Sequence, residues 1–167
     1  MRKEPSLVET EEAIDCASRS HVPVLITCRN RDASARIAQL IHTRSTRAHG
    51  PFVNMHCTGP QKPLIERQLF GDETEYMGPH EEAGVLAKAH NGTLFLDEVG
   101  ELSLWAQQRL HGLLGTLQMF RTSDSPVPLD VRLITASNRP LTERVLTREF
   151  SEDLFYRLNV IHIVVDE

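Results

Sequence analysis

The stretch Asn91-Gly92-Thr93-Leu94-Phe95-Leu96-Asp97-Glu98 constrains the fold of this chain more than any other. Thr93 to Leu96 is a short apolar run carrying a β-branched and an aromatic residue, with Asn-Gly before it and Asp-Glu, then Gly100, after it. A half-buried strand would alternate apolar with polar. An unbroken run of this length reads as a strand buried on both faces, as parallel sheets require. Its two carboxylates then stand at the C-terminal edge, where open α/β sheets bind ligands. A bare Leu-Asp-Glu also fits a strand that simply leaves the core and turns polar, so the flanking chain has to decide.

Four more stretches read as strands: Val24 to Thr27, again a buried one, then Phe52 to Met55, Val131 to Ala136 and Ile161 to Val165. Helical periodicity lies between them. Residues 7–20 are loosely helical, and 28–35 read as a polar connection. A helix follows with Asp32 as N-cap and Ile37, Leu40 and Ile41 on one face. Further helices are expected over Leu64 to Phe70, over Ala83 to Ala89, after a cap at Ser103, and over roughly Phe150 to Leu158. The Ser103 helix carries an apolar stripe of Ala106, Leu110, Leu113, Leu114 and Leu117, and Gly112 and Gly115 each weaken it by about 1 kcal/mol relative to Ala. Thr122 to Pro128 reads as a turn-rich connection. Strands alternating with helices predict a three-layer α/β/α fold around a mainly parallel five-stranded sheet.

At 167 residues the chain suffices for one core and is short for two, so 1–167 reads as a single domain. A net charge of −5 argues against a surface built throughout for nucleic acid, and direct DNA binding is not expected. The cysteines, Cys16, Cys28 and Cys57, are odd in number and widely spaced, which suits a reduced, cytoplasmic setting better than a disulfide framework. No pair among the histidines and cysteines has zinc-site spacing. No run approaches membrane-spanning length.

With the elements placed, the order of motifs resembles the AAA+ ATPase domain of bacterial sigma-54-dependent transcription activators, over about residues 22–163. The resemblance is carried by Pro51-Phe52-Val53 with Cys57, Leu69-Phe70-Gly71 with Glu73, the 91–98 stretch with Gly100-Glu101-Leu102, Asp130 to Ile134 with Ala136, Asn138 and Arg139, and Phe150 with Glu152 to Leu154 and Tyr156 to Val160. It implies a P-loop NTPase core with ATP and magnesium as cofactors. Asp97 then corresponds to the magnesium-associated aspartate, holding the ion through water, and Glu98 to the water-activating glutamate. Asn138 matches the sensor asparagine, and Arg157 one of two arginines that reach a neighbouring subunit's nucleotide; Ser151 replaces the other.

The phosphate loop departs from that family. Gly-x-x-x-x-Gly-Lys lets backbone N–H groups wrap the phosphates and brings a lysine to them. Here the loop is Cys28, Arg29, Asn30, Arg31, Asp32, Ala33, Ser34 and Ala35. Cys28, Arg31 and Ala33 stand in glycine places and Ser34 in the lysine place. Side chains disfavour the positive φ such a loop uses, and losing the lysine alone weakens binding roughly ten- to a hundredfold. Binding of ATP and magnesium is therefore expected to be weak or absent. Arg29 and Arg31 could offer replacement cations, or the turn could be merely solvated. The sigma-contacting loop of the family corresponds to Thr74 to Pro79, in which Tyr76, Met77, Gly78 and Pro79 echo it only in part. The family's helical lid and DNA-reading helix are expected to be absent.

Three functions follow: a transcription-regulation protein with a degraded ATP site that acts through protein–protein contacts, with sigma-54 or an intact activator ring as partner; an active ATP-dependent sigma-54 activator module; or an inactive gene remnant.

Overall fold

The structure, a computed structural model, describes residues 7–71, 84–116, 118–120 and 126–165. Helix α1 (Leu7–Arg19) leads into β1 (Val24–Cys28), α2 (Arg31–Thr43), β2 (Phe52–His56) and α3 (Lys62–Phe70). After α4 (Val85–Lys88) come β3 (Thr93–Asp97), a 3-10 turn over Val99–Glu101, and α5 (Leu104–Thr116). Short strands β4 (Gln118–Phe120) and β5 (Pro126–Pro128) precede β6 (Arg132–Ser137), α6 (Leu141–Leu146), α7 (Glu152–Leu158) and β7 (Ile161–Val165).

The main sheet has five strands in the order β2-β3-β6-β1-β7, and every neighbouring pair is parallel. All five anticipated strands are present. Burial on both faces holds for the inner strands, since every residue of β3 and of β6 is buried and four of the five in β1, whereas the edge strands β2 and β7 are only partly buried because each has a neighbour on one side only. Successive side chains point to opposite faces and divide between two cores. Leu25, Leu94, Leu96 and Leu133 meet Leu69, Leu86, Leu110 and Leu154 on the face covered by α3, α4, α5 and α7. Val24, Ile26, Phe95 and Ile134 meet Ile14, Ala17, Ala38 and Ile41 on the face covered by α1 and α2. Each fully buried leucine or isoleucine stabilises the fold by about 1.5–3 kcal/mol.

The Asn91-Gly92 pair opens β3 at a close crossing. Thr93 N donates to Pro51 O at 2.9 Å, and a Cβ on Gly92 would lie 2.0 Å from that same oxygen. Only glycine allows β2 and β3 to start side by side here.

Several local expectations change. Helix α2 begins at Arg31, capped by Asn30 rather than Asp32, so only Arg29 and Asn30 separate it from β1. Residues 31–35 join the helix because the Asn30 side chain satisfies its first free amides, a role a residue beyond the strand end can take when no glycine interrupts the turn. The 122–128 connection contributes β5, which pairs antiparallel with β4. Helix α7 starts at Glu152, with Ser151 as its cap, leaving Phe150 buried ahead of it, and α6 appears where no helix was anticipated.

Candidate functional site at the C-terminal edge of the sheet

The parallel register places the ends of β1, β2, β3 and β6 along one edge. His56 pairs with Asp97 across β2 and β3, which sets the imidazole beside the carboxylate. Its Nδ1 lies 3.0 Å from Asp97 Oδ2. Arg31, first residue of α2, reaches the same oxygen, and its Nε donates to Oδ2 at 2.9 Å. The Asp97 side chain is 8% exposed and that of Arg31 60%, so the pair joins a buried anion to a largely solvated cation.

Glu98 follows in the left-handed conformation, at φ 55° and ψ 49°. For a non-glycine residue this costs roughly 1–2 kcal/mol. The turn carries its carboxylate toward β6, where the Asn138 backbone N–H donates to Oε2 at 3.4 Å. Burial pushes the Glu98 pKa up; the Asn138 amide acts in the opposite sense, and the Asp97 charge adds to the rise. Cys57, whose N–H donates to Asp97 O at 2.9 Å, has its thiol pushed up to about 12 by burial first and then by the charges of Asp97 and Glu98.

The loop between β1 and α2 is closed on itself. Asn30 Oδ1 accepts from the backbone amides of Asp32 at 3.0 Å and Ala33 at 3.2 Å. The amide of Ser34 donates to Asn30 O at 3.1 Å. Cys28 Sγ donates to Asn30 O at 3.2 Å, and the buried Ser34 donates its hydroxyl to Arg31 O at 2.9 Å. Ala33 and Ala35 turn toward the core beneath α1 and α2. Beside this loop a cleft of about 630 Å³ opens between the ends of β1, β6 and β7, with Arg29 and Arg139 as its cations and Glu143 as its carboxylate.

The structure thus brings together Asp97, Glu98, the Asn138 amide and Arg31. Arg157 belongs instead to the α5–α7 pair. A Cβ on Gly115 would lie 3.1 Å from Arg157 Nη1, so the glycine of α5 leaves room for the guanidinium. Among the described residues Arg157 makes no ion pair, Asp153 included. Tyr76, Met77, Gly78 and Pro79 lie outside the described residues.

Two residues escaped the sequence reading. His56 could have been found by aligning the ends of the runs at Met55 and Leu96, which puts it level with Asp97. Gln107 was legible only as one of two adjacent glutamines, Gln107 and Gln108, beside the apolar stripe. Fully buried, it donates to Leu102 O and Glu149 O and accepts from Ser151 N–H, pinning α5 to the start of α7.

Residues 1–164 match the profile of the Sigma-54 interaction domain. The DNA-binding transcriptional regulator NtrC of Escherichia coli (strain K12) is 38% identical over 162 residues, which cover 95% of this chain and 34% of that protein. The transcriptional regulatory protein XylR of Pseudomonas putida is 43% identical over 157 residues, covering 91% and 28%. The chain therefore spans about a third of the length of such relatives. Among solved structures, NtrX from Brucella abortus in complex with ATP superposes with a TM-score of 0.83 at 30% identity, over 98% of this chain and 38% of that one. The P-loop NTPase domain of a sigma-54 activator from E. coli, at 18% identity and a TM-score of 0.67 over 96% of this chain and 94% of that one, supports the fold alone.

Proposed function

Since the chain belongs to the sigma-54 interaction domain family, we propose that it is a transcription-regulation protein that works by association with protein partners and not by ATP turnover. The carrying observation is the closed loop after β1. Amides that would have to face a phosphate are held by Asn30, and Ser34, in the lysine place, is buried against Arg31 O. A nucleotide would have to break the N-cap, worth about 1 kcal/mol, and would find no lysine. Asp97 already has a cation against it, in Arg31. These residues do not fit magnesium-ATP, and no chemical step through it is assigned to them.

The partner in this reading is sigma-54 or an intact activator of the same family, met in part through the surface of α7 and the residues that follow it, up to Val160. There Tyr156 is 66% and Val160 54% exposed, on either side of Arg157. No direct reading of DNA by this chain is proposed.

The test is ATP hydrolysis by the purified chain beside Glu98→Gln, together with calorimetric titration of ATP and magnesium. Equal, background turnover and weak binding indifferent to Asp97→Ala support the reading. Turnover abolished by Glu98→Gln would overturn it. An activator's ATPase, titrated with this protein and with Arg157→Ala, tests the association, which requires comigration and a lowered rate.

A working ATPase is the second reading. It is favoured by the convergence of Asp97, Glu98 and the Asn138 amide at one sheet edge, and by the ATP complex of the Brucella abortus relative.

A further inference from the structure

Asp97 has a cation supplied by its own chain. The carboxylate is nearly sequestered, and two nitrogen atoms converge on one oxygen: Arg31 Nε at 2.9 Å and His56 Nδ1 at 3.0 Å from Oδ2. Neither is placed by chance. His56 is held by the β2–β3 register. Arg31 is held by the first turn of α2, whose start is fixed by the Asn30 cap on the amides of Asp32 and Ala33. The contact uses Nε rather than a terminal nitrogen, so the guanidinium lies against the carboxylate while its far end faces solvent. The neighbouring carboxylate, Glu98, is turned away toward the Asn138 amide.

A magnesium-sized ion sits about 2.0–2.1 Å from each oxygen it coordinates directly and keeps several waters around it. At Asp97 that shell would meet a guanidinium of like charge on the oxygen it needs. Even an ion held through water would face the same repulsion within a few ångströms. We propose that Arg31 is the resident counter-cation of Asp97 and closes this sheet edge to divalent cations. Removing the Arg31 charge then opens the Asp97 carboxylate to a divalent cation.

The inference deepens the reading of a non-hydrolysing domain and rests on it, but it concerns the metal and needs no nucleotide. The test is titration of the whole chain with manganese(II), followed by the paramagnetic signal of the free ion in nucleotide-free buffer. Wild type is compared with Arg31→Ala, Arg31→Gln, Asp97→Asn, and Arg31→Ala combined with Asp97→Asn. Arg31→Gln keeps bulk at the helix start while removing the charge, so a folding defect confined to the alanine variant does not decide the matter. The expected result is manganese affinity raised about tenfold or more in both Arg31 variants, the scale of one lost charge-assisted contact, and returned to the wild-type level when Asp97→Asn is added. Wild-type affinity that is equal to that of the Arg31 variants and lost on Asp97→Asn would overturn the proposal. So would Arg31 variants that gain nothing. ATP turnover by the wild-type chain would overturn the preceding reading instead, and the titration would still report on Arg31 separately.

Discussion

Replacing Gln107 by Leu removes a polar side chain that ties α5 to the start of α7, and its cost can be worked from the geometry. Gln107 is fully buried. Its Nε2 donates to Leu102 O at 2.8 Å and to Glu149 O at 3.1 Å, and its Oε1 accepts from Ser151 N–H at 2.8 Å. Leucine has similar bulk, so the cavity term is small, but three main-chain groups lose a partner that water cannot readily replace. At a net worth of about 1 kcal/mol per bond, with some extra desolvation cost and a partial offset from added apolar burial, stability falls by about 2–4 kcal/mol. With an m-value of about 2 kcal/mol/M, the urea midpoint drops by about 1–2 M. Equilibrium unfolding of the purified chain, followed by circular dichroism, measures this. A midpoint within about 0.3 M of wild type, at unchanged m-value, refutes the claim that the Gln107 bonds hold α7 in place.

The other outcomes are more local. Burial holds the Glu98 pKa above the ordinary carboxylate range, so the native state binds this proton more readily than the unfolded chain. The Glu98 contribution is thus fully present below the unfolded pKa and is lost as pH rises through the folded value. Glu98→Gln should therefore flatten the pH dependence of stability above the ordinary carboxylate range, and unfolding at about pH 4.5 and about pH 8 checks the sign. Gly112→Ala should stabilise the chain by about 0.5–1 kcal/mol, because an added Cβ there meets nothing within 4 Å. Gly115→Ala should gain less, since the Arg157 guanidinium must move; comparing the two melting temperatures tests this. Cys16 is exposed whereas Cys57 is buried with its thiol pushed up to about 12, so a thiol reagent should modify Cys16 well before Cys57, as read by mass mapping.

How much of this was legible beforehand divides by the range of the interaction. The central strand β3 announced itself because a strand covered on both faces needs an unbroken apolar run, and that demand is written in the consecutive residues Thr93 to Leu96, whereas the edge strands β2 and β7 carry Asn54 and His162 within their stretches and are only partly buried. The carboxylates of Asp97 and Glu98 were located by the same run, since they end it. What the chain does between β1 and α2 could not be read in the same way. Cys28 to Ala35 contains two plausible caps, Asn30 and Asp32, and the choice between a wrapped loop and an early helix turns on which side chain reaches the free amides once the strand is anchored. The β2–β3 register and the placement of β1 beside β6 put His56 and Arg31 on one oxygen of Asp97 across gaps of 41 and 66 residues. Likewise Gln107 had no sequence neighbour to reveal its role, because its partners lie at Leu102, Glu149 and Ser151. Runs and periods are local consequences of burial and survive in the bare sequence. Which charge meets which depends on how distant segments are brought into register, and only the folded sheet decides that.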